Sequence, residues 1–115
     1  MLRQLVDGLA ARPDVAGAAV ISGDGLVIEA ALGTGADGDA LAALTTTLVR
    51  NCGELGTAGG LGSLGAAVLE FASGPAVIGT LRDGASVVVL ARDGSDLGEL
   101  LYLLRRHRGA IADLL

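Results

Sequence analysis

The 115-residue chain has no tryptophan and no lysine, and only one each of cysteine, histidine, tyrosine, phenylalanine and methionine. Each shortage narrows what the protein can do. A single cysteine, Cys52, cannot form an internal disulfide, which fits a reducing compartment or a small core side chain. With only His107 beside it, no set of Cys, His, Asp and Glu has metal-ligand spacing. Without lysine there is no phosphate loop of the G-x-x-x-x-G-K-[ST] type, and no nucleophile elbow surrounds Ser63. Cys52 has no base or cation one helical turn away, so it reads as a small hydrophobe rather than an activated thiol. A basic excess is missing too: 13 acids against eight arginines give a net charge of −5. That argues against a nucleic-acid partner and weakly against anionic membrane surfaces. The longest run free of charge, Leu55 to Leu69, is too short and too rich in glycine to span a membrane. Arg3, Asp7 and Arg12 break up the first segment, so no secretory leader is expected and the chain reads as a soluble cytoplasmic protein.

What the chain does have is aliphatic surface. Hydrophobic residues make up 51% of it, aromatics only 2%, and mean hydropathy is +0.62. The length fits one domain over residues 1–115, with a core of small aliphatic side chains. The apolar excess on so small a domain points to an interface with another chain.

Leu2, Leu5, Val6 and Leu9 mark one face of a helix that Pro13 must end. Val15–Ser22 and Leu26–Ala31 are apolar runs around the turn residues Ser22-Gly23-Asp24-Gly25, and read as a β-hairpin. After a loop over 33–38, Asp37 or Asp39 can cap a helix running to about Gly56. A glycine-rich loop to Gly65 precedes three strands, 66–71, 76–81 and 86–91, punctuated by Ser73-Gly74-Pro75 and Asp83-Gly84. The unbroken run Val87–Leu90 suits a central strand covered on both faces. Ser95 or Asp96 caps a last helix whose apolar stripe is Leu97, Leu100, Leu101, Leu104 and Ile111. Arg105, Arg106, His107 and Arg108 fall near the expected end of that helix. Cations suit the dipole there, with a contact patch for an acidic partner as the functional alternative. The order is α-β-β-α-β-β-β-α, an α+β domain without repeats.

The middle helix is apolar over a wide arc. Leu41, Leu44, Leu48, Cys52 and Leu55 form one stripe, and Ala42, Thr46, Val49, Gly53 and Gly56 a second beside it. The leucine stripe is expected to face the sheet, and the small stripe to admit another helix at close range. Two G-x-G-x-x-G matches, Gly33/Gly35/Gly38 and Gly60/Gly62/Gly65, do not support a nucleotide site. The second lies between helix and strand in the wrong order, and the first carries Asp37 and Asp39 where a pyrophosphate would sit.

The stretch Val15-Ala-Gly-Ala-Ala-Val-Ile-Ser-Gly-Asp-Gly-Leu26 resembles the opening hairpin of the roadblock/dynein light chain family. The Leu81-Arg-Asp-Gly84 turn, the Val87–Leu90 strand and Asp96-Leu97-Gly98 at the start of the last helix resemble it as well. The resemblance implies a single five-stranded antiparallel sheet of profilin-like build, with the middle helix on one face and the terminal helices on the other. It implies a homodimer, or a heterodimer with a paralogue, in which middle helices pair and sheets join edge to edge. It further implies a non-catalytic scaffold or regulator of a small Ras-like GTPase in bacterial signalling or polarity control, with no catalytic residue, metal or cofactor. A small-molecule-sensing α/β domain, or a partner subunit of a sensor-kinase system, is the alternative. Thr45, Thr46, Leu48, Val49 and Cys52 are expected at the middle of the dimer contact. On that expectation, Val49→Arg costs several kcal/mol of association by leaving a charge unpaired in a dry contact, read by sedimentation equilibrium.

Overall fold

The computed structural model describes all of residues 1–115. Its elements are α1 (Leu2–Ala10), β1 (Val15–Ile21), β2 (Val27–Ala31), α2 (Gly38–Ala58), β3 (Ala66–Phe71), β4 (Gly74–Thr80), β5 (Ser86–Ala91) and α3 (Leu97–Asp113). The five strands form one antiparallel sheet in the order β2-β1-β5-β4-β3. This is the expected element order, with α2 reaching two residues beyond Gly56 and β4 beginning two residues early. Pro75 is tolerated inside β4 because it pairs only with Glu70 of β3, while pairing to β5 begins at Ala76.

Alternation along the strands divides the core into two layers. Ala18, Val20, Val77, Val87, Val89 and Ala91 face one way and pack with Val6 and Leu9 of α1 and Leu100, Leu104 and Ile111 of α3. Ala19, Ile21, Ile78 and Val88 face the other way, against Ala42 of α2. Val87, Val88 and Val89 are all buried, because β5 is central and both its faces are covered. Val15 shares a face with Ala18 because the register shifts between Val15 and Gly17.

Local chemistry sets the boundaries. Asp37 and Asp96 are the N-caps, their carboxylates accepting from the backbone N–H of Ala40 and Glu99 at 3.2 and 3.1 Å. Ser95 bonds instead to the carbonyls of Asp14 and Arg92, tying the start of α3 to the start of β1. Asp83 and Gly84 both adopt positive φ, 58° and 77°, as a two-residue turn of the primed type requires between β4 and β5. At Gly79 a β-carbon would stand 2.7 Å from Cδ2 of Leu104, which is itself buried, so α3 approaches β4 as closely as it does only over a glycine.

Gly79→Ala is therefore expected to overpack this contact and to lower unfolding stability by about 1–3 kcal/mol. Urea denaturation measures it, and Leu104→Ala at the same contact is expected to cost about 2–5 kcal/mol by leaving a cavity.

Candidate functional site

The two faces of the sheet are not equally covered. On one, α1 packs on β1 and β2 while α3 packs on β4. On the other, α2 alone packs on β2, β1 and β5. Five strands about 4.8 Å apart span roughly 19 Å between the outer two, and one helix is about 10 Å across. The β3 side of the α2 face therefore lacks a helix. Ala67, Leu69 and Leu90 are half-buried there, and Phe71 at the end of β3 is 63% exposed.

The orientation of α2 differs from the sequence-based expectation. Ala42 and Thr45 are its fully buried residues, Val49 is half-buried against the same layer, and Thr46 lies beside Gly25 with its hydroxyl donating to the Ala42 carbonyl at 3.0 Å. The seated face draws on both stripes: Ala42 and Thr45 are its buried centre, and Leu48 and Val49 pack beside them on the same layer. The leucine stripe turns partly to solvent, with Leu44 69% and Leu55 71% exposed and Leu41, Leu48 and Cys52 half-buried. The reason is steric. A helix lies closest to a sheet of Ala, Val and Ile when it presents Ala and Thr at the centre of its contact, and helical spacing then carries Leu44 and Leu55 round to the flank.

Of the five residues expected at the dimer contact, Thr45 is 4% exposed and covered by its own sheet, Leu48 and Val49 pack against the protein's own core layer, and Thr46 is half-buried beside Gly25. Leu48 and Cys52 border the exposed leucine flank. Leu44, Leu55, Phe71 and Leu61, which is 84% exposed just beyond α2, are the residues that sequence reasoning assigned elsewhere or passed over. Continuous with them is the free edge of β3, whose outward backbone groups have no strand partner. No three Cys, His, Asp or Glu side chains converge, and no helix is long and apolar enough to cross a membrane. Chemically this surface can exclude water and extend a sheet; it holds no converging polar groups.

The Roadblock/LC7 domain family model matches residues 1–91. The chain belongs to this family. No curated protein sequence matches it significantly. Among solved structures, MglB of Myxococcus xanthus is similar at a TM-score of 0.89 and 18% identity, covering 98% of this chain and 86% of that one. A Roadblock/LC7 domain from Streptomyces avermitilis matches at 0.87 and 26% identity, covering 97% and 95%. Profilin II of Acanthamoeba castellanii matches at 0.74 and 13% identity, covering 99% and 98%, so the roadblock domain here shares the profilin-like layering. The family match ends at Ala91, before α3.

Exposure distinguishes two probes of the α2 surface. Leu44→Arg places its charge in water and is expected to leave the thermal midpoint of the isolated chain within a few degrees, whereas Val49→Arg is expected to lower it sharply by burying a charge against the sheet. Thermal unfolding followed by circular dichroism separates the two.

Proposed function

We propose that the protein is a non-catalytic dimeric regulator or scaffold for a small Ras-like GTPase, self-associating through α2 and the β3 edge. The observation that carries this reading is the half-covered sheet face, where one helix stands over space for two and leucines at 69% and 71% exposure border the gap. A second copy related by a two-fold axis would bring its own α2 leucines against these, and pairing of the two β3 edges would continue the sheet. Membership of the Roadblock/LC7 family supports the regulatory role, as does likeness in fold to MglB. The exposed surface is apolar and without a nucleophile–base pair, which suits a binding module rather than an enzyme. A paralogue with the same surface would serve equally as the second subunit, and a cytoplasmic location fits a GTPase partner.

Sedimentation equilibrium over a wide concentration range is expected to show a dimer at tens of micromolar. Leu44→Arg combined with Leu55→Arg is expected to shift it to monomer without unfolding. A wild-type chain that stays monomeric throughout would remove the physical support for the reading. A small GTPase from the same cell, loaded with a non-hydrolysable GTP analogue, is expected to co-elute with the dimer in size-exclusion chromatography and not with the monomeric variant.

A further inference from the structure

The arginine run on α3 has a different setting from the one its sequence position implies. The helix continues to Asp113, so its last turn holds no basic residue, and Arg105 and Arg106 stand about two turns before the end. The helix dipole acts mainly within the terminal turn and does not account for them. Arg108 is used structurally, donating to the Gly65 carbonyl at 3.2 Å, and His107 is half-buried toward α1, in a cleft with Gln4, Leu5 and Gly8.

Arg105 and Arg106 are exposed, and neither forms an ion pair or hydrogen bond, although the chain has 13 acids. The acids of their own helix are already engaged. Glu99 receives Arg12 at 2.8 Å and Asp113 receives Arg82 at 3.0 Å. Tyr102, the only tyrosine, is 64% exposed and lies one turn before the two arginines on the same outward face. Tyr102 and Arg106 also line a shallow cleft of about 300 Å³ with Arg12, Glu99, Leu103 and His107. Nothing fills the space beside Gly109, so approach to the arginines along the helix is open.

We propose that this outer face of α3 is a second docking surface, and that it takes an acidic segment of a partner protein. Two guanidinium groups without internal partners provide forks for carboxylates, and the Tyr102 ring provides a platform for an apolar side chain between them. Exposed tyrosine beside arginine is the composition enriched in protein–protein contacts. The unpaired arginines oppose the sign of the whole protein, whose net charge is −5. An anionic partner is therefore attracted to this pair, since Arg50, the other arginine without an ion pair or hydrogen bond, stands alone on α2. The same net charge disfavours an anionic bilayer, which would meet the acidic remainder of the molecule over a wide area. The patch lies on the sheet face opposite α2, so self-association through α2 leaves it free.

The test is a titration of the isotope-labelled full chain, followed by amide chemical shifts, with a short Glu-rich peptide bearing one central phenylalanine. A Lys-rich peptide of the same length and phosphatidylserine vesicles serve as controls. Saturable shifts confined to residues 99–109 and the adjoining part of α1 are expected, with affinity falling as NaCl rises from about 50 to about 300 mM. Arg105→Glu with Arg106→Glu is expected to weaken the Glu-rich peptide about tenfold or more without changing the thermal midpoint, because neither side chain has an internal partner to lose. Tyr102→Ser, which leaves net charge unchanged, is expected to weaken it as well, separating a shaped surface from general attraction. Shifts centred on α2, equal binding of the Lys-rich peptide, no saturable binding, or vesicle capture through Arg105 and Arg106 without peptide binding would each overturn the proposal. Leu44→Arg is expected to bind the peptide as the wild type does, so failure here is distinct from failure of the dimer reading.

Discussion

One geometric constraint governs this molecule: a sheet of five strands is wider than one helix. Where α1 and α3 lie side by side the sheet is covered, and the layer there is the larger, with 12 buried residues that include Leu100, Leu104 and Ile111. Where α2 lies alone, the layer is thin and built of Ala19, Ile21, Ala42, Ile78 and Val88. The two layers answer to different demands. The first closes the domain on itself. The second closes the domain only in part, and leaves an apolar margin running from the leucines of α2 across Leu69 to Phe71.

That constraint also explains which features were legible in the sequence. Element order was readable because turn chemistry and periodicity agree locally: Asp83-Gly84 occupies the positive-φ positions of a hairpin, Asp37 and Asp96 cap their helices, and Val87 to Val89 have no polar side to expose. The seating of α2 was not readable in the same way. Two apolar stripes compete on that helix, and periodicity alone ranks leucine above alanine for burial. Closeness of approach decided it instead, and closeness depends on Ala19 and Val88 across the layer, residues remote in sequence from Ala42. The arginines of α3 were misplaced for a related reason. No glycine or proline follows Ala110 to mark a stop, so the helix runs on to Asp113 and moves Arg105 and Arg106 into its middle.

The family assignment adds a division of its own. Residues 1–91, which carry the Roadblock/LC7 match, hold the whole sheet, α1 and α2, and so the half-covered face. The segment beyond, α3, completes the other layer and brings the unpaired arginines. α3 lies with α1 on the sheet face opposite α2. Only Leu100, Leu104, Ile111 and their neighbours on the inward face of α3 are tied to the core, so residues on its outward face can vary without disturbing that packing.

The strand order has a consequence for how the protein comes into being. The first strand sits between the second and the fifth, so its inner edge stays unpaired until Ser86–Ala91 has left the ribosome. At ordinary synthesis rates of about 5–20 residues per second, the opening hairpin and α2 wait several seconds with Val15–Ile21 open along that edge. Pairing partners so distant along the chain also slow the final closure, since the loop must be drawn in before the contacts that reward it can form. The nascent chain is therefore most vulnerable to strand-mediated misassembly in this interval, because β1 is apolar, uncharged and free of proline along its whole length.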